Sequence, residues 1–267
     1  MAWDLPLTDR RCLAALSTWV DAARIQQAVA TFGSWQRLRA AAIPQRVAVL
    51  GHHDPARTLP ETPPIPDGGE GLGLVGCFDD SYPPVLRAQQ APPPVLWARW
   101  RLPTPPTVWV AGPPGHTAPQ QSARAARAAV AAGAEVLARA DTPIGQVALS
   151  EAFRAGGRAV AVSEAGLRAA GDHIVASLRA AVAGGAALSA APPQARASQD
   201  TGVAVRISAA YAAALLWCAP PSWSPDAGDP PPGVPVVSVD AHGTVDGLAA
   251  ELTPHLAGAA PSAAGPA

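Results

Sequence analysis

Short apolar runs alternating with alanine-rich stretches that end in glycine fill the chain from Thr107 onward. That pattern leaves few folds open. Runs at Val108–Ala111, Glu135–Arg139, Arg158–Ser163, Ala186–Ala190, Ala214–Ala219 and Pro235–Val239 have the length and apolar content of buried strands. Between them lie predicted helices over Pro119–Ala132, Ile144–Ala155, Asp172–Ala183 and Gly202–Ala212, and a last one follows over Val245–Leu256. Gly133, Gly156-Gly157 and Gly184-Gly185 stop the first three. Strands alternating with helices predict an α/β, Rossmann-like domain: a largely parallel sheet with helices on both faces. In such folds ligands sit at the carboxyl ends of the strands. The candidate surface is therefore Gly112–Thr117, Arg139–Pro143, Ser163–Gly166, Ala190–Thr201 and Ala219–Trp223.

The front of the chain reads differently. Thr8 is an expected cap for a helix with Asp9 in its first turn, and Leu13, Leu16 and Val20 share a face. Ile25, Val29 and Phe32 repeat that spacing until Gly33, and Ser34 caps a third short helix with Trp35 and Leu38 turned inward. A small helical domain over residues 1–44 is the expectation. Residues 45–78 are Pro- and Gly-rich and read as a linker, with a short strand at Arg46–Gly51. The main domain then spans 79–257, and the Ala/Gly/Pro/Ser tail from 258 to 267 has the composition of a disordered segment.

Composition narrows the function classes. The chain has 267 residues, 49% of them hydrophobic, but much of that share is alanine, so the core must be close-packed rather than rich in large side chains. All 19 basic residues are arginine, and the net charge is −1, which gives no global pull toward nucleic acid. Between Asp79 and Arg206, 12 arginines face 8 acidic residues, so the main domain is mildly basic. Cys12, Cys77 and Cys218 stand too far apart for a metal motif and read as free thiols of a reducing compartment. No apolar run approaches the roughly 20 residues of a membrane helix, and the start MAWDLPLTDRR lacks a signal core, so a cytoplasmic protein is expected.

Several patterns imitate functional motifs. Gly71-Leu-Gly73-Leu-Val-Gly76 matches a dinucleotide fingerprint letter for letter, but a Pro-rich stretch precedes it and Tyr-Pro-Pro follows, so it reads as a hinge, a loop or irregular strand edge with no helix start at Gly76. His52-His53-Asp54 are three adjacent residues that converge poorly on one metal ion. Asp172-His173 with Ser163 or Ser177 would make a triad only with a nucleophile elbow, and no Gly-x-Ser-x-Gly is present. Asp79-Asp80 reads as a solvated or turn pair. No catalytic set, cofactor or metal site is expected.

The stretch Asp79–Gly112 carries the most specific signal. Tyr82-Pro83-Pro84 with Leu86, then Pro93-Pro94 with Leu96 and Trp97, then a strand ending in Gly112, is similar to the opening segment of the DprA/Smf family, the bacterial DNA-processing proteins of natural transformation. The resemblance extends from Leu13 to about Leu256, and the Phe32-Gly33-Ser34 run has its counterpart in the family's front domain. Pro113-Pro114 stand where the family has Ser-Arg after the strand-ending glycine. In the second signature only Ile144 remains, with Leu149 at the position of a His. Val203-Ala-Val-Arg206-Ile207 keeps one Arg and one Ile of the third signature, and a Pro-rich loop, Pro220–Pro235, replaces the fourth.

What the resemblance implies is single-stranded DNA binding, weakened here, with loading of a RecA-type recombinase and a homodimer as the family's further properties. The residues expected to meet phosphate are Gly112, Gly115 and Thr117 in the loop after the first strand, and Arg124, Arg139 and Arg206. The front module lacks a glycine hairpin over Ser17–Asp21 and is expected to pack or meet a partner rather than read DNA. Two other readings compete: a paralogue that keeps the fold, lacks the site and acts through protein contacts, and a small nucleotide or phosphate-ester binder on a Rossmann-like fold.

Overall fold

The structure is a computed structural model, and it describes residues 6–17, 20–51, 72–89, 92–113, 115–167, 185–190, 202–219, 233–240 and 242–257. Four helices come first: α1 (Leu7–Leu16), α2 (Ala22–Phe32), α3 (Trp35–Ala40) and α4 (Ile43–Leu50). The α/β part follows: β1 (Leu72–Gly76), α5 (Pro84–Arg87), β2 (Val95–Arg99), β3 (Thr107–Ala111), α6 (Pro119–Ala131), β4 (Glu135–Arg139), α7 (Pro143–Arg154), β5 (Ala159–Ser163), β6 (Gly185–Ser189), α8 (Val203–Tyr211), β7 (Ala214–Trp217), β8 (Val236–Ser238) and α9 (Val245–Ala257).

The strands form one sheet in the order β1-β2-β6-β5-β4-β3-β7-β8. From β6 to β8 every pairing is parallel, which is the arrangement the alternating runs predict. The central strands are apolar throughout because both faces are covered; β5, Ala-Val-Ala-Val-Ser, is buried at every position. Helices α6 and α7 pack on one face, with α9 beside α6, and α8 packs on the other against β3, β4 and β5. Ala125, Ala126, Ala128 and Ala129 of α6 are fully buried, so the alanine content lets the helix backbone approach the sheet and its neighbours closely.

The front module keeps its expected helices but not all its expected caps. Asp21 caps α2, its Oδ1 accepting from Arg24 N at 2.8 Å, and Gly33 closes that helix at φ 79°. Ser34 caps α3 through Arg37 N at 3.1 Å. Thr8 caps nothing: α1 begins at Leu7, and the Pro6 carbonyl accepts from Asp9 N and Arg10 N.

Residues assigned to the linker carry two regular elements. Ile43–Leu50 is a helix, not a strand at Arg46–Gly51. Pro44 suits a helix start, Arg46 Nη1 donates to Arg39 O at 3.0 Å, and Leu50 is buried, so the contacts of a helix win over a β-branched run of only two valines. Leu72–Gly76 is an edge strand paired antiparallel with β2, a second strand that the sequence pattern does not announce. Glycine is tolerable there because the edge has a neighbour on one side only, while Leu74 and Val75 bury their side chains. No helix starts at Gly76, and Gly73 and Gly76 pair with Ala98 and Val95 in the strand. The His52–Asp54 cluster, Asp172, His173, Ser177, the predicted helix at 172–183 and the tail from 258 lie outside the described residues.

Candidate functional site

Antiparallel pairing decides what stands at the carboxyl edge of the sheet. Gly76 pairs with Val95, and Trp97 with Ser189, so the end of β1 and the start of β2 lie beside the end of β6. The Asp79–Pro94 segment therefore caps the same edge as the loops after β3, β4 and β5. Tyr82 is its anchor. The side chain is fully buried, its hydroxyl donates to Pro93 O at 2.7 Å, and burial pushes its pKa up. Asp79, also fully buried, accepts from Gly76 N at 2.6 Å, and Arg87 donates to its carbonyl. The Tyr-Pro-Pro signature thus has a packing role here: it folds the loop that closes one side of the edge.

The loop after β3 is held for packing as well. A Cβ on Gly112 would overlap the Cys218 carbonyl oxygen and the Ile144 side chain, so glycine is required by the close approach of β7 and α7. Gly115 takes φ 72° over open space, and Thr117 is exposed. His116 sits between them half-buried; its backbone N–H donates to Pro113 O at 3.1 Å, and its Nε2 is buried with no hydrogen-bond partner among the described residues. Pro119 opens α6 and removes one first-turn N–H from any anion cradle.

The arginines are brought to three different places. Arg139, at the end of β4, forms a fork with Asp141, Nε to Oδ1 at 3.0 Å and Nη2 to Oδ2 at 2.5 Å, with Glu164 Oε1 3.9 Å from its Nη1. The hydrogen bonds to Asp141 hold its pKa above the ordinary arginine value. Glu164 also accepts from Ala204 N, at 3.3 Å, at the start of α8. Among the described residues, one cation between two carboxylates gives this part of the edge no net attraction for phosphate. Arg206 lies on α8, on the opposite face of the sheet from α6, and acts electrostatically on Tyr82. Arg124 turns toward the end of β8: its terminal nitrogens donate to Gly243 O at 3.1 Å and Asp240 O at 3.2 Å, which ties α6 to the turn between β8 and α9 at the carboxyl edge. The structure therefore groups Gly112, Gly115, Thr117 and Arg139 along one edge, with Arg206 near the Tyr82 loop and the Arg124 head held by the turn after β8.

Sequence reasoning missed the partners. Asp141 follows Arg139 by two residues, a spacing from which a fork can be suspected; Glu164 is brought in only by the parallel pairing of β4 with β5. Leu149 is buried inside α7, so the position of the resemblance's His belongs to the core here. Among the described residues no cluster of three His, Cys, Asp or Glu side chains could hold a metal, and no helix is long and apolar enough to cross a membrane.

Cys12, Cys77 and Cys218 are buried free thiols, and burial pushes Cys77 and Cys218 each up to about 12. Native protein should leave all three unreacted with a thiol reagent at pH 8, where a thiol of that pKa is almost wholly protonated. Denaturant should release all three. Fast labelling of native protein would contradict this burial.

The sheet order, the two-faced helix layers and the helical front module define a Rossmann-like, DprA-like fold. The crystal structure of DNA processing protein A from Streptococcus pneumoniae is similar to it with a TM-score of 0.58 and 16% sequence identity, over 87% of this chain and 95% of that one. At this identity the likeness is one of fold. No family model and no curated protein matches the sequence.

Proposed function

We propose that this chain is a DNA-processing protein of the DprA/Smf kind that binds single-stranded DNA and acts by binding, not by catalysis. The observation that supports it most is the extent of the structural likeness, which covers 87% of this chain and 95% of the S. pneumoniae protein. The opening signature adds to it, since Tyr82 and Pro93 meet through a buried hydrogen bond. In this reading the protein is cytoplasmic, works in natural transformation, hands DNA to a RecA-type recombinase and does so as a homodimer.

Binding should be weak. Arg139 is balanced by Asp141 and Glu164, prolines occupy the first loop, and Leu149 is buried. Phosphate contacts by arginine set both affinity and salt slope. Arg206→Ala should lower affinity for all sequences alike and reduce the salt slope by about one contact. Arg37→Ala, in the front module, should change little. Titration of labelled oligonucleotide at several salt concentrations checks this. Absence of binding at low salt would favour the second reading, a paralogue acting through protein contacts, which the Arg139–Asp141–Glu164 balance also supports. Equal binding by Arg206→Ala would leave the function and remove this placement of the site.

A further inference from the structure

An open groove of about 620 Å³ runs between α6 and α7 on the solvent side of the helix layer. Its polar lining is Gln120, Arg124, Arg127, Glu151 and Arg154, with Val147 in its wall. Three arginines face one carboxylate. That is the reverse of the balance around Arg139, where one arginine faces two.

The three arginines are held in different ways. The Arg124 head is fixed by two backbone carbonyls, which accept hydrogen bonds without carrying a formal charge, and its Nε is buried with no partner among the described residues. The nearby Asp240 carboxylate accepts from the backbone N–H groups of its own turn, Gly243 and His242, which hold its pKa below the ordinary range; the Arg124 charge acts on it in the same direction, so Arg124 is partly offset and the exposed Arg127 and Arg154 carry most of the groove's positive charge. Arg127 is exposed; its Nε donates to Ala123 O at 3.3 Å, and it has no ion-pair partner among the described residues. Arg154 is paired with Glu151 Oε1 at 2.5 Å, but 74% of its side chain is exposed, so the pair contributes little and can be exchanged for another anion. Arg124 and Arg127 are one helical turn apart, so their side chains are neighbours on α6, and Arg154 faces them from α7.

Direction matters too. The groove begins at Pro119 and Gln120, in the first turn of α6 beside the carboxyl edge, and reaches Arg154 in the last turn of α7 at the opposite edge. A strand leaving the carboxyl edge has a continuous basic path down this flank. Among the described residues no aromatic side chain lines the groove, so the occupant is recognised by its backbone charge and not by base stacking.

We propose that the α6–α7 groove is a phosphodiester-binding surface, with Arg124, Arg127 and Arg154 holding the backbone of a single nucleic-acid strand. The inference rests on the DNA-binding reading above and places most of its charge contacts on the helix layer, away from the sheet edge.

The test is a titration of a labelled thymidine oligonucleotide, at several salt concentrations, against wild type, the double variant Arg127→Glu/Arg154→Glu, Glu151→Gln and Arg206→Ala. Polyglutamate serves as a second probe. Both reversed arginines are exposed on helices, and thermal melting checks that the variant folds. The double variant should bind the oligonucleotide at least about tenfold more weakly, with the salt slope reduced by about two contacts. Glu151→Gln should bind more tightly than wild type. If the double variant binds like wild type while Arg206→Ala does not, the groove is wrong and the DNA reading stands. If wild type binds no oligonucleotide at low salt, the DNA reading fails and the groove proposal with it. If only polyglutamate binds, and the double variant loses it, the occupant is an acidic polypeptide and the proposal is overturned.

Discussion

Gly145→Ala should destabilise the protein by about 2–3 kcal/mol, although alanine is the better helix former by about 1 kcal/mol. Gly145 sits in the first turn of α7, fully inside the fold, where its N–H donates to Thr142 Oγ1 at 3.1 Å. The same hydroxyl donates to Arg139 O at 3.1 Å, so the chain folds back on itself between the end of β4 and the start of α7. A Cβ at Gly145 would overlap the Arg139 carbonyl oxygen and stand 2.8 Å from its carbon and 2.9 Å from Thr142 Oγ1. Backbone atoms cannot swing aside as a side chain does, so the turn must open and move the Arg139–Asp141 fork with it. For a chain of this size the loss corresponds to a Tm drop of roughly 5–10 °C. Gly156→Ala is the comparison. Gly156 has φ 75°, and a methyl group added there would meet no atom within 4 Å, so only the left-handed backbone cost of about 1 kcal/mol applies. Thermal melting of both variants is the measurement. A Gly145→Ala protein that melts with wild type, or above Gly156→Ala, would show that the turn is not closed in this way.

Asp79→Ala should cost more, about 3–5 kcal/mol, because it removes a buried carboxylate that faces the Arg10 guanidinium and accepts from the Gly76 N–H. Arg10 on α1 is only 6% exposed and Asp79 is 0% exposed. Arg10 Nε lies 3.9 Å from Asp79 Oδ2, and its Nη1 donates to Leu74 O at 2.7 Å. Through these contacts one arginine ties the front module to the edge strand and to the Tyr82 loop. Burial lowers the pKa of Arg10, and the Asp79 charge opposes that shift, which is the electrostatic sign of a pair that needs both members. Asp79→Asn keeps an oxygen for the Gly76 N–H and should fall between wild type and Asp79→Ala. Combining Asp79→Ala with Arg10→Met removes both members of the pair, so the double variant should be more stable than the sum of the single losses by more than about 1 kcal/mol. Chemical denaturation of the four variants beside wild type tests this. Strict additivity would mean that Arg10 and Asp79 do not act as a unit.

The parallel core was legible because its signals are local. Each run such as Val108–Ala111 or Ala159–Ser163 is apolar on both faces, and Gly133 and Gly156 mark where helices stop. The antiparallel pair β1–β2 was not legible. Leu-Gly-Leu-Val-Gly has the composition of a loop, and Val95–Arg99 lies directly after three prolines; each becomes a strand because it finds the other and then the edge of β6. Helix α4 departs from the expected strand for a related reason, since Arg46–Gly51 alone carries no cap signal and the helix depends on Pro44, Gln45 and contacts with Arg39 and Arg24.

For the candidate site the division is sharper. The sequence by itself determined the fold class, the carboxyl edge as the place to look, and the Tyr82–Pro94 signature, because periodicity, glycine stops and a contiguous motif are all read along the chain. It named Gly112, Arg124, Arg139 and Arg206 by residue type. Only the tertiary structure decided what each one does: Gly112 admits the Cys218 carbonyl, Arg139 is balanced by Glu164 from the end of the neighbouring strand, Arg124 ties α6 to the turn at Asp240 and Gly243, and Arg206 faces Tyr82 from α8, on the sheet face away from α6. The physical reason is that charge balance and close approach depend on residues far apart in the chain, and one arginine reads like another until its carboxylates are in place.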